Sequence, residues 1–205
     1  MLMIFEHILV IISVFVSLSG SVAYVFDTLK GKTKPNRVSW FLWAVAPLIG
    51  TGAAISSGAD AWATARIFLA GFVPLIVLIV SFLNKQSYWK LTKFDFACGI
   101  CSILALIVWF FANSPVLAVL LAATGDGLGS LPTLIKSWKY PETETGWTFV
   151  AGFIATLLVL PSITAWNIQN SAFQTYLLVV NALLVFFIFR KRLKLLNNIK
   201  ITRLP

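Results

Sequence analysis

Long apolar runs alternate with short polar segments along the chain, and none of them shows the every-second-residue alternation of a membrane barrel strand. Backbone polar groups in hydrocarbon must be paired within their own segment, so continuous runs of this kind predict helices. Seven runs are readable, at residues 8–29, 40–55, 62–83, 94–111, 116–135, 147–164 and 173–189. Most approach the roughly 20 residues needed to cross about 30 Å of hydrocarbon. The second and the last two are shorter, and tilt, local thinning or extension past these bounds would let them span. The first run has Glu6 and His7 before it instead of a basic leader, so it reads as a mature helix and not as a secretory signal.

Composition sharpens this picture. In 205 residues, 59% are hydrophobic and 11% charged, and the mean hydropathy is +0.91, too little polar surface to cover a soluble globule. The predicted class is therefore an all-α membrane protein, with lipid as its main partner.

The net charge of +9 is not spread evenly. Lys30, Lys32, Lys34 and Arg37 follow the first run, Lys85, Lys90 and Lys93 the third, and Lys136 and Lys139 the fifth. Arg190, Lys191, Arg192, Lys194, Lys200 and Arg203 follow the seventh, and Arg66 alone falls on the other side. Basic residues collect on the cytoplasmic side, so this alternation predicts an N-terminus outside and a C-terminus inside, at the plasma membrane. The basic tail also suits anionic headgroups, and neither use calls for nucleic acid. Cys98 and Cys101 stand at i and i+3, but two thiols in an apolar helix read as small buried residues, with no disulfide framework, metal or cofactor implied.

An odd number of spans can hold a duplication only as three helices, a linker helix and three helices. A shift of about 107 residues superposes Trp40 on Trp147 and Ala44 on Ala151. Removing one loop residue also brings Lys30 onto Lys136 and Pro35 onto Pro141. Both basic loops, Lys30 to Arg37 and Lys136 to Glu144, contain a proline and run into a tryptophan that opens the next run. The expected organisation is a first repeat at 1–84, a linker helix at 85–113, a second repeat at 114–190 and a basic tail at 191–205.

The segment Leu131-Pro132-Thr133-Leu134-Ile135-Lys136-Ser137-Trp138-Lys139-Tyr140-Pro141-Glu142-Thr143-Glu144-Thr145-Gly146-Trp147 resembles the signature of the PQ-loop superfamily, which includes the SWEET and SemiSWEET sugar transporters. Pro132 matches the signature proline, Thr133 stands where glutamine is usual, and Thr143 to Gly146 resembles the turn. The first repeat departs further, with Phe26-Asp27 in place of the pair. The resemblance implies two parallel three-helix repeats, a substrate site near the midplane between them, and a proline kink that can act as a hinge. It also implies transport of a small solute, sugar or amino-acid-like, by alternating access. The opposing reading of Pro132 is that it merely ends a well-packed helix.

Several side chains are candidates for such a site. Asp126 lies about ten residues, at roughly 1.5 Å each, beyond the start of its run, which brings it near the middle of the bilayer. Carboxyls at that depth face the bundle interior or a wet cavity, where reversible protonation is a natural use; the alternative is a structural carboxyl, neutral or hydrogen-bonded to a neighbouring helix. Arg66, about one turn into the third run, reaches either outward to water or inward toward Asp126. Asp27 is an interfacial partner for the Lys30 loop or, by its match to Thr133, a site residue. Trp43 follows Trp40 at i+3 and so shares its face, for core packing or for stacking on a planar solute. Asn181 interrupts an apolar run as a substrate ligand or as an interhelical hydrogen bonder.

Two function classes stay open: a small-solute transporter, with proton coupling through Asp126 as one variant, and a non-transporting seven-helix receptor or scaffold. Homo-oligomerisation stays open for both. An enzyme is not expected, because His7 is the one histidine and no nucleophile, base or metal-ligand grouping is readable. A retinal protein would need a lysine within the last run, and the next lysine after the fifth-to-sixth loop is Lys191.

Overall fold

A computed structural model describes the backbone of residues 2–58, 61–112, 114–163 and 165–201, with side chains at 8–58, 64–65, 67–112, 114–163 and 165–190. Helices form wherever the apolar runs lie: α1 Leu2–Leu29, α2 Arg37–Ser56, α3 Ala61–Leu83, α4 Lys93–Phe110, α5 Pro115–Lys139, α6 Gly146–Val159 and α7 Ile168–Ile201. No strand occurs among the described residues. Among the described residues, five helices are long and apolar enough to cross a membrane; the described apolar parts of α3 and α6 are shorter, at Ile67–Leu83 and Gly146–Ser162. Large apolar side chains cover the outside, with Phe15, Phe82, Phe110 and Phe111 all more than 60% exposed. Soluble monomers rarely carry apolar surface so extensively. The fold is compatible with a multi-pass membrane protein.

Local chemistry sets the helix ends. Asn36 caps α2, its side chain accepting from the backbone N–H groups of Val38 and Ser39. Thr92 and Asp95 form a reciprocal capping box on α4, and Ser114 caps α5 with Pro115 in its first turn. Gly31 terminates α1 at a φ of 74°, where a Cβ would lie 2.7 Å from the Gln86 side chain.

Some helices outrun their apolar stretches. The apolar run of α5 stops at residue 135, yet the helix continues to Lys139 and carries Lys136 into the interior. The sixth run was expected to reach 164, but α6 ends at Val159 and a 3-10 turn follows at Leu160–Ser162; Thr164 lies outside the described residues.

Packing contacts follow a simple order. α3 packs against both α1 and α2, α7 packs against both α5 and α6, and the two groups meet through α1 with α6 and α2 with α5. Six helices therefore close a ring in the order α1, α3, α2, α5, α7, α6. α4 lies outside it, against α5 and α2. A single buried apolar cluster takes Tyr24, Trp40, Val77, Leu134 and Phe149 from five of the ring helices and Val180, Leu184 and Ile188 from α7. This cluster sits toward the end of the ring where the Lys30, Lys85 and Lys136 loops gather, called here the basic end. α1 and α6 cross closely, so that a Cβ on Gly20 would lie 2.7 Å from the Ala151 Cβ.

Candidate functional site

A cavity of about 730 Å3, partly open, occupies the ring interior beyond the apolar cluster. Such a volume lies in the range of small-molecule sites. Its polar lining comes from Ser13, Ser17 and Ser21 of α1, Thr156 of α6, and Gln174 and Asn181 of α7. Trp40 borders it at the basic end, and Pro47 and Pro74 bring two intrahelical prolines onto its wall. None of its described lining residues is charged.

Asn181 shows how this wall is built. Its amide donates to the Leu177 carbonyl one turn earlier, at 2.9 Å. Its Oδ1 lies against Gly152 of α6, so close that a Cβ there would sit 2.5 Å from it. The glycine gives the amide room between two helices.

The basic end is sealed by polar bonds between the two halves of the chain. Tyr24 donates its hydroxyl proton to Glu144 Oε2 at 2.7 Å and accepts from the Trp40 indole N–H at 3.2 Å. Glu144 Oε1 lies 2.7 Å from Lys136 Nζ, with both side chains at most 1% exposed, and Lys136 also donates to the Lys34 carbonyl. The Thr145 hydroxyl donates to Asp27 at 3.0 Å and also lies 2.5 Å from the Thr33 hydroxyl. Lys34 N–H completes the contact by donating to the Thr143 carbonyl at 3.0 Å. Burying two opposite charges is costly unless each is paired and further bonded, a condition Lys136 and Glu144 meet.

A third polar group lies to the side of the cavity. Tyr176 donates to Asp126 Oδ2 at 2.6 Å, Ser130 donates to the Asp126 carbonyl at 2.9 Å, and the Trp43 indole donates to Ser130 at 3.3 Å. These bonds tie α2, α5 and α7 together. Asp126 borders a smaller hollow of about 170 Å3 between α2, α4, α5 and α7, and is not among the residues lining the larger cavity.

No family model, curated protein or solved structure matches this chain. Its chemistry is therefore read from its own residues.

The candidate residues separate into three places. Asn181 lines the cavity. Trp43 packs edge-on against Trp40, with ring centroids 5.1 Å apart, but its N–H serves the Asp126 group. The Asp27 carboxylate accepts from Thr145 of the opposite loop and, among the described residues, forms no ion pair with a lysine of its own loop. Pro132 and Thr133 are fully buried near the seal; α5 runs through Pro132 without a break, and the Thr133 hydroxyl has no hydrogen-bond partner among the described residues. The Arg66 side chain lies outside the described residues, as does any pairing with Asp126. Of the two cysteines, Cys98 is buried as expected but Cys101 is exposed on the outer face.

Tyr24, Pro47 and Pro74 were not among the sequence candidates, and Lys136 was placed only among the basic residues of the cytoplasmic side. Glu144 stood within the recognised turn without a role. A signal for it was present: of the two carboxylates in this basic loop, Glu142 and Glu144, the second abuts the apolar start of the next helix and needs a cation nearby.

Proposed function

We propose that this chain is a transporter of a small uncharged polar solute that works by alternating access. The observation that carries the reading is the asymmetry of the ring: a cavity with a few uncharged polar groups on a mainly apolar wall toward one end, and a buried, hydrogen-bonded seal at the other. A binding site accessible from one end only is one of the two states such a mechanism needs.

The helix order supports a 3+1+3 organisation. α3 lies between α1 and α2 as α7 lies between α5 and α6, and the contacts of α1 with α6 and α2 with α5 exchange under the same pairing. In this reading α1–α3 and α5–α7 are parallel repeats and α4 is the linker that brings them into parallel. Pro47 and Pro74, on the cavity wall, lack a backbone donor and give α2 and α3 points of bending. The resemblance of the Pro132 segment to the PQ-loop signature agrees with this scheme. By the distribution of lysine and arginine the seal faces the cytoplasm, in a plasma membrane.

A lining that is uncharged among the described residues favours a solute with hydroxyl or amide groups over a zwitterion, whose two charges would need partners. The position of Asp126 outside that lining favours a facilitator over a proton-coupled carrier. The test is uptake of radiolabelled monosaccharides, polyols and neutral amino acids into proteoliposomes, with and without a pH gradient. Saturable uptake of an uncharged solute, equal in both conditions, is expected. Well-folded protein that takes up none of them would replace this reading with a receptor or scaffold of the same fold.

A further inference from the structure

The outer face between α2 and α4 carries two apolar hollows, of about 430 Å3 and 350 Å3, that share Phe41, Leu42 and Ile103 and so form one groove. Along α2 it runs from Arg37 to Ile49. At 1.5 Å per residue that is roughly 18 Å, close to the roughly 15 Å depth of one leaflet's acyl chains.

The groove has a cation at the basic end and none among its lining residues elsewhere. Arg37 Nε and Nη2 donate to the Ser81 hydroxyl and carbonyl, at 3.2 and 2.7 Å, and the guanidinium lies 3.9 Å from the centre of the Phe82 ring. Its Nη1 has no acceptor and its charge no carboxylate partner among the described residues. Asp95, on the facing helix, is committed to Thr92 and Asn36. Arg37 is thus a guanidinium held in place, with donors to spare, at the headgroup end of a chain-length apolar groove. Fixed guanidinium groups are well suited to phosphate oxygens.

We infer that the α2–α4 groove is a binding site for one anionic phospholipid of the leaflet at the basic end, with its phosphate on Arg37 and an acyl chain along Phe41, Ile103 and Ile49. This rests on the reading of the chain as a multi-pass membrane protein and is independent of what the central cavity carries. α4 packs mainly on α5 and α2, and the basic-end hollow is also lined by Leu78 and Phe82 of α3, so a lipid here would sit between the linker and the first three helices, where it can steady their relative positions.

Trp109 lines the far end of the groove and serves as the reporter. The protein is reconstituted into phosphatidylcholine vesicles containing a small fraction of phosphatidylglycerol brominated in its acyl chains, or the same fraction of brominated phosphatidylcholine, and tryptophan quenching is measured. About fivefold tighter association of the anionic lipid is expected, the size of one basic group at an anionic surface. The excess quenching should vanish in Trp109→Phe, which removes the reporter, and the preference should fall to parity in Arg37→Gln. Val45→Phe, which leaves Arg37 in place and narrows the groove, should weaken both lipids. Equal association of the two lipids with the unmodified protein would overturn the site while leaving the transport reading untouched. Absence of quenching by either lipid, together with cross-linking between copies at Phe110→Cys, would assign the groove to a second copy of this chain instead.

Discussion

Lys136 and Glu144 form an ion pair at 2.7 Å in which neither side chain is more than 1% exposed. They are only eight residues apart in the chain, but the pair is held by partners more than 100 positions away, Tyr24 and the Lys34 carbonyl. It therefore locks the Lys136 to Gly146 loop of the second half onto the end of α1 and the loop that follows it.

Removing one member leaves the other as an uncompensated buried charge. Lys136→Met or Glu144→Gln should lower unfolding stability by about 3–5 kcal/mol. The double variant Lys136→Met/Glu144→Leu should recover most of that loss, because no lone charge remains. Thermal unfolding of the purified protein in mild detergent checks both; a double variant no more stable than either single one would show that the pair is not what holds the seal.

Tyr24 connects that pair to the tryptophan bordering the cavity. In Tyr24→Phe, Glu144 Oε2 loses a donor and the Trp40 N–H loses its acceptor, at a cost of about 1–3 kcal/mol. A weakened seal should also expose the cavity from the basic end. A cysteine placed by Ser21→Cys, in a chain freed of Cys98 and Cys101, should then react faster with a membrane-impermeant thiol reagent applied from that side. An unchanged labelling rate would place the seal elsewhere.

Gly20 sets the distance between α1 and α6. Gly20→Ala puts a methyl 2.7 Å from the Ala151 Cβ and 3.0 Å from the Thr148 Cα, so the helices must separate, for about 1–3 kcal/mol. Ala151→Gly in the same chain should restore part of the loss, since it removes the nearer of the two clashes. Non-additivity in a double-mutant cycle on unfolding stability is the readout.

Within the cavity, Asn181→Leu keeps the volume near Gly152 while removing both the donor and the acceptor. A solute held by that amide should lose tenfold or more in apparent affinity, with protein stability nearly unchanged. Asp126→Asn is the contrasting case, since an amide oxygen still accepts from Tyr176. Uptake in that variant should stay within about twofold, with no new dependence on a pH gradient, as expected of a group away from the solute path. Loss of uptake at full stability would move Asp126 into the mechanism and restore proton coupling.

Much of this architecture is written locally. The Trp40 and Trp147 run-ins, the proline-bearing loops before them and, to within one residue, the starts of α3, α4, α5 and α6 could be read from the chain, whereas α1, α2 and α7 begin three to six residues before their apolar runs, α2 at its Asn36 cap. The candidate site was legible only in part. Asn181 was found because an amide in an apolar run is conspicuous, whereas Ser13, Ser17 and Ser21 were not, since serines bond their own helix carbonyls and pass unnoticed in membrane helices, as the Ser13 and Ser21 hydroxyls do here.

What the sequence determined by itself is the set of helices and the end at which the basic loops gather, because hydropathy and charge act on each segment separately. Which helix lies beside which, that Lys136 is buried, that the Asp27 carboxylate meets Thr145, and that a cavity opens next to Asn181 were decided only by the tertiary structure. Those features depend on the shapes of surfaces more than 100 residues apart in the chain, such as Gly20 against Ala151 and Tyr24 against Glu144. Close packing selects among the possible pairings of similar apolar helices, and hydrophobicity alone does not distinguish them.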